Sequence, residues 1–197
     1  MSDEPAPKIR TFLAVDLTED LRAKIADLLG RLKKGVQFTG AHPKWVDPAG
    51  IHLTLKFFGQ TDETQRAAIA ETLRGVARRH ARHTVHIKGL GVFPTPRRPR
   101  VLWVGVSKAT RLCALQEDLE GALESVGWAS EEREFTPHLT LARLKGLRRV
   151  HAFMDIVSGH RAWDVGPWPI DEMVLYQSTL RPQGAIYTPL ERFRLSG

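Results

Sequence analysis

The chain has a single cysteine, Cys113, among its 197 residues. That excludes an internal disulfide and a zinc site built on thiolates, and within its helical pattern Cys113 reads as a small buried apolar side chain. No apolar run reaches the length of a membrane span. The opening residues, Met1-Ser2-Asp3-Glu4-Pro5-Ala6-Pro7, lack a basic region followed by an apolar one. They read as part of a short flexible tail, residues 1–9, and the expectation is a cytoplasmic protein. A Gly-rich phosphate loop ending in Lys-Ser/Thr is missing, and so is an adenylylation-type lysine motif. No cofactor is expected.

Positive charge is plentiful. The net charge is +7 and the pI is near 9.9, which favours an anionic partner or serves solubility alone. Three arginines, Arg97, Arg98 and Arg100, share the Pro-rich stretch Pro94-Thr95-Pro96-Arg97-Arg98-Pro99-Arg100. So rigid and basic a loop is either a phosphate holder or a solvated hairpin connection.

Hydrophobic periodicity divides the chain into two similar series. Thr11–Leu17 reads as a buried strand, and Thr18 caps a helix with Leu21, Ile25, Leu28, Leu29 and Leu32 on one face, ending at Lys33, Lys34 and Gly35. A short strand at Lys44–Val46 precedes a turn and a strand from about Ile51 to Phe58. Asp62 opens a second helix with Ile69, Leu73, Val76 and Ala77 inward, and Thr84–Leu90 alternates as a strand. Val101–Val106 then starts the order again, with a helix carrying Leu112, Leu115, Leu119, Leu123 and Val126 and stopped at Gly127. A strand over Phe135–Leu144, a weaker helix through Val150, Phe153, Ile156 and Val157, a strand at Met173–Tyr176 and an edge strand in the tail follow. This order implies an α+β fold with antiparallel sheets and outer helices. The whole of residues 1–197 is expected to form one bilobal domain, with lobes of roughly 10–93 and 101–195 and possible strand exchange.

One tetrapeptide occurs in both series: His52-Leu53-Thr54-Leu55 and His138-Leu139-Thr140-Leu141. In a strand, side chains at i and i+2 share a face, so each His stands beside its Thr while the Leu pair points to the core. Packing alone needs no histidine in two matched contexts. The other histidines, His42, His80, His83, His86, His151 and His160, read as packing or surface residues, and no metal site is expected among them. Metal-free cleavage of a phosphodiester needs a base for the nucleophile and an acid for the leaving oxygen, and imidazole serves as either. Their environments must then set the two pKa values apart. Thr hydroxyls two residues on can donate to non-bridging phosphate oxygens.

These paired motifs resemble the signature of the 2H phosphoesterase superfamily. Phe12 to Leu17, His52 to Gly59, Gly89 to Val104, Pro137 to Arg143 and Leu175 to Leu180 resemble its bacterial and archaeal RNA 2′,3′-cyclic phosphodiesterase branch, historically the 2′-5′ RNA ligase family. The resemblance runs in order from about Arg10 to Leu195. It implies a bilobal fold in which two pseudo-twofold-related antiparallel sheets line a central cleft. It also implies metal-independent hydrolysis of RNA 2′,3′-cyclic phosphate ends to 2′-phosphomonoesters, by a monomer without a cofactor. His52 would be the proton donor, His138 the proton acceptor, and Thr54 and Thr140 the phosphate holders. Arg143, Arg100, Tyr176 and Phe93 are expected to contact substrate, the two aromatics by stacking a base, although core packing also accounts for them, as it does for Trp45 and Trp103. Strict alternation puts Arg143 on the Leu face: either the strand bulges there and Arg143 reaches phosphate, or it is a solvated strand-end arginine. The alternatives to hydrolysis are ATP-independent 2′-5′ ligation of RNA halves and a non-catalytic RNA- or nucleotide-binding module.

Overall fold

The first two helices begin where side chains satisfy open backbone groups. In the computed structural model, which describes residues 7–35, 43–146, 150–182 and 184–197, Thr18 caps α1 (Glu19–Gly35), its hydroxyl accepting from Leu21 N at 3.4 Å. Asp62 and Gln65 form a reciprocal capping box at the start of α2 (Glu63–Arg79). Residues 1–6 of the expected tail, and His42, lie outside the described residues. The other helices are α3 (Thr110–Glu124) and α4 (Val150–Gly159). The strands in chain order are β1 (Ile9–Asp16), β2 (Lys44–Trp45), β3 (His52–Thr61), β4 (His83–Thr95), β5 (Arg98–Ser107), β6 (His138–Arg143), β7 (Asp164–Ile170), β8 (Glu172–Arg181) and β9 (Gly184–Arg194).

The fold is α+β, with two antiparallel sheets ordered β3-β1-β8-β9 and β2-β6-β5-β4-β7. The two orders correspond. A His strand (β3 or β6) flanks the opening strand of its own half (β1 or β5), whose other neighbour comes from the opposite half (β8 or β4). Each sheet therefore draws on both halves of the chain. Leu53 and Leu55 of β3, Leu139 and Leu141 of β6, and the inward faces of all four helices share one continuous core. The helices thus cover the Leu side. The His and Thr side chains stand on the other side, and β3 and β6 come alongside one another.

Two further stretches bear on the expectation. The basic Pro-rich segment is the end of the β4–β5 hairpin, with Pro94 opposite Pro99 and Thr95 opposite Arg98. β7 was not expected, because Gly166, Pro167 and Pro169 interrupt its sequence. Among the described residues it pairs only with β4, and an edge strand tolerates prolines that have no N–H to donate.

Candidate active site

Both His strands begin as alternation predicts and then depart from it in the same way. Ala14 faces Thr54 while Leu13 faces Lys56, leaving Leu55 as an extra residue. Trp103 faces Thr140 while Leu102 faces Ala142, leaving Leu141 extra. Each bulge reverses the alternation beyond it. Lys56 and Ala142 consequently turn into the core, while Phe57 and Arg143 emerge on the His and Thr face. The bulge is the condition under which Arg143 joins His138 and Thr140, and it is met. On the other strand the equivalent exposed residue is Phe57, and Lys56 is buried against Glu120 and the Ala129 carbonyl, at 2.5 and 2.7 Å.

The two imidazoles are held alike. His52 Nδ1 lies 2.9 Å from the Gly50 carbonyl and His138 Nδ1 lies 2.7 Å from the Thr136 carbonyl. A carbonyl can only accept, so each Nδ1 carries a hydrogen and Nε2 is the nitrogen left to exchange protons. The turn that supplies the Gly50 carbonyl is itself restrained. Asp47 accepts from Ala49 N at 2.9 Å. From α1, the Arg22 guanidinium donates to the carbonyls of Pro48, Ala49 and Ile51 at 2.7, 3.0 and 3.2 Å. Arg22 is therefore the brace for the first histidine.

Burial holds both histidines below the ordinary imidazole range, because removing water disfavours the charged form. Their neighbours then differ. For His52 the Gly50 carbonyl and the Asp16 carboxylate act upward and Arg22 downward. For His138 the Thr136 carbonyl acts upward and Arg143 downward. A carboxylate thus acts on His52 alongside a guanidinium, and a guanidinium acts on His138.

Aromatic rings wall the site. Phe12 stacks on His52 at 4.8 Å and Tyr187 meets it edge-on at 5.1 Å. Phe93 meets His138 edge-on at 4.9 Å, and Trp103 lies 6.3 Å from it. Trp103 occupies space that Gly91 leaves open: a Cβ on Gly91 would stand 2.1 Å from its ring. Trp103 is thus part of the reactive face, not of the main core, whereas Trp45 packs against that core as expected. Phe93 is half-buried beside His138. Tyr176 does not offer a face to a base. It is only 9% exposed, its ring stacks on Phe12 at 5.4 Å, and its hydroxyl donates to Asp16 at 2.6 Å. Burial, with that bond, pushes its phenol well above the usual range. Arg100 is exposed at the β5 irregularity beside Val101, and Leu144 N donates to its carbonyl at 2.7 Å.

Sequence reasoning passed over Phe12, Tyr187, Phe57 and Arg22. Phe12 sits in a strand apolar on both faces, where no alternation marks it, and Arg22 is one cation among several on its helix. Several other histidines have structural partners: His80 bonds Asp118 at 2.9 Å, His86 bonds Asp164 at 2.6 Å and His160 bonds the Ile156 carbonyl at 2.8 Å. Among the described residues, no three His, Cys, Asp or Glu side chains converge as metal ligands would.

The family model of the 2′-5′ RNA ligase superfamily matches residues 21–181. A protein of Methanothermobacter thermautotrophicus named RNA 2′,3′-cyclic phosphodiesterase is 37% identical over 188 residues, spanning 95% of this chain and 100% of its own. One of the same name from Aeropyrum pernix is 39% identical over 163 residues, spanning 82% and 92%. Among solved structures, TT0787 of Thermus thermophilus superposes with a TM-score of 0.75 at 30% identity, over 95% of this chain and 98% of that one. E. coli LigT complexed with 3′-AMP gives 0.76 at 27% identity, over 96% and 99%. The doubled His-Leu-Thr-Leu strand thus sits in a chain that matches its relatives almost end to end, and the chain belongs to the 2′-5′ RNA ligase superfamily.

Proposed function

We propose that the chain hydrolyses 2′,3′-cyclic phosphate ends of RNA to 2′-phosphomonoesters, with His52 as proton donor and His138 as proton acceptor. The observation that carries this reading is the matched pair of Nδ1–carbonyl hydrogen bonds, which leaves each histidine with one nitrogen for proton exchange. The names of the Methanothermobacter and Aeropyrum relatives support the substrate class, and the 3′-AMP complex of LigT supports a nucleotide on this fold.

Neutral His138 takes a proton from water through Nε2 as the water oxygen bonds to phosphorus. The P–O3′ bond breaks, and protonated His52 delivers its proton to O3′. The 2′-ester remains. Thr54 and Thr140 donate hydrogen bonds to the non-bridging oxygens, where negative charge builds. The histidines end with their protonation states exchanged, and solvent restores them. Arg143 holds the same phosphate from the second sheet. The exchange of strands between halves supports a single bilobal domain, and a site built from one chain's two sheets supports a monomer, which sedimentation would check.

The test is an RNA ending in 2′,3′-cyclic phosphate, incubated with EDTA and its product identified. The expected product is the 2′-phosphate, with turnover falling about 10²–10⁴-fold in each of His52→Ala and His138→Ala while RNA binding persists. A cyclic end that survives the wild-type protein overturns the reading. A 2′-5′-joined product with added 5′-hydroxyl RNA would move it to ligation.

A further inference from the structure

We propose that Lys44, with Arg143 bridging to it from the reacting phosphate, forms a second phosphate site, which takes the phosphodiester preceding the cyclic end and makes polymeric RNA a better substrate than a cyclic mononucleotide. The inference rests on reading the His52 and His138 face as the place where the cyclic ester opens.

Lys44 on β2 stands directly opposite Arg143 on β6, and Arg143 in turn stands opposite Val101, itself opposite Phe93. Residues opposed across strands share a face, so this row lies on the His138 side. The neighbouring row confirms it: Trp45 faces Ala142 and Ala142 faces Leu102, all three directed into the core. Two cations directly opposite each other repel and weaken a sheet. Among the described residues, no carboxylate pairs with either, whereas Lys24, Arg31, Arg74, Arg79 and Arg192 each have an acidic partner. Both Lys44 and Arg143 are exposed. An anion between them would relieve the repulsion.

Position identifies the anion. Along β6 the reactive face presents His138, then Thr140, then Arg143 beyond the bulge. Lys44 is one strand further out, about 4.8 Å from the β6 backbone. A phosphate at Thr140 and His138 has Arg143 on its flank, and an adjoining phosphate of the same strand reaches Lys44. Arginine's fork can bridge two phosphate oxygens while lysine adds a mobile point charge, a pairing suited to successive phosphates. A cyclic mononucleotide has no second phosphate to place there.

The experiment compares kcat/KM for a 2′,3′-cyclic mononucleotide with that for a tetraribonucleotide ending in 2′,3′-cyclic phosphate, using wild type, Lys44→Ala and Lys44→Arg at two salt concentrations. For Lys44→Ala, the ratio of oligonucleotide to mononucleotide kcat/KM should fall about tenfold, the loss of one charge-assisted contact. The fall should come through KM, with a shallower salt dependence on the oligonucleotide alone. Lys44→Arg should restore the ratio. Thermal melting of Lys44→Ala should be no lower than wild type, since a like-charge pair has been relieved. An unchanged ratio, or equal loss on both substrates, overturns the second phosphate site while leaving the catalytic reading intact. Wild-type inactivity on both substrates overturns the catalytic reading itself.

Discussion

Replacing Lys56 with methionine should unfold this protein more readily than any surface change, and the size of the effect follows from the bulge in β3. The bulge turns Lys56 into the core, where its side chain is 3% exposed and that of Glu120 is 13% exposed. The ammonium bonds Glu120 and the Ala129 carbonyl. Without it, among the described residues, Glu120 keeps only Gln116 Nε2 at 2.9 Å and Glu131 N at 3.1 Å as donors. Removing one member of a buried pair costs about 3–5 kcal/mol, because the other charge stays buried without compensation. Methionine fills similar volume and adds apolar burial, which places the expected loss near the low end, at about 3 kcal/mol. For a chain of this size that corresponds to a melting temperature lower by about 6–12 °C. The double variant Lys56→Met/Glu120→Gln removes both charges and keeps an acceptor for Glu131 N. It should lie within about 1–2 kcal/mol of wild type. Urea unfolding, with m-values checked for equality, measures all of these. The loss should persist in 1 M salt, since buried pairs are poorly screened. A Lys56→Met cost below about 1 kcal/mol, or a double variant equal to the sum of its singles, would refute the reasoning and make the pair effectively solvated.

Other outcomes follow from the same geometry. Both histidines titrate below 6.5 in the free protein, so the bell-shaped kcat/KM profile should peak on the acid side of that value. The acid limb reports loss of the proton from His138, and the alkaline limb reports loss of the proton from His52. Asp16→Asn withdraws a charge that raises His52, so the alkaline limb should move to lower pH while the acid limb holds; a fixed alkaline limb counts against the assignment. Arg22→Ala frees the turn that orients His52 and should lower kcat about 10²-fold with little change in KM, whereas an unaltered kcat would show that the turn holds itself. Gly91→Ala places a methyl against the Trp103 ring and should cost about 1–3 kcal/mol of stability by overpacking. Adding Trp103→Leu should recover it, and chemical denaturation of the pair decides the point.

What could be read from the residues was whatever depends on local period and chemistry. The Leu faces of β3 and β6, the helix caps at Thr18 and Asp62, and the α+β order all announce themselves through spacing. The bulges do not, because a bulge is a property of two strands in register and no single strand records it. That is why Arg143 looked misplaced and why nothing drew notice to Phe57. The carbonyls that orient the histidines are backbone groups without a side-chain signature. For Tyr176 spacing left base stacking and core packing both open, because its partners, Phe12 and Asp16, are on a strand 160 positions away. The exchange of β8 and β4 between the two sheets was allowed for as a possible strand exchange, although spacing alone does not say which strands trade places.

That exchange also sets an order of assembly during synthesis. β1 finds β3 early, but its other neighbour, β8, begins only at Glu172. The sheet bearing His138 can be completed once β7 ends at Ile170, while the sheet bearing His52 waits for the last strand at Arg194. Until then the far edge of β1 is an unpaired template, and closing it joins residues of wide sequence separation, which is slow. A chain released prematurely therefore holds one finished histidine sheet and one open one, and the first histidine is the last part of the site to be secured.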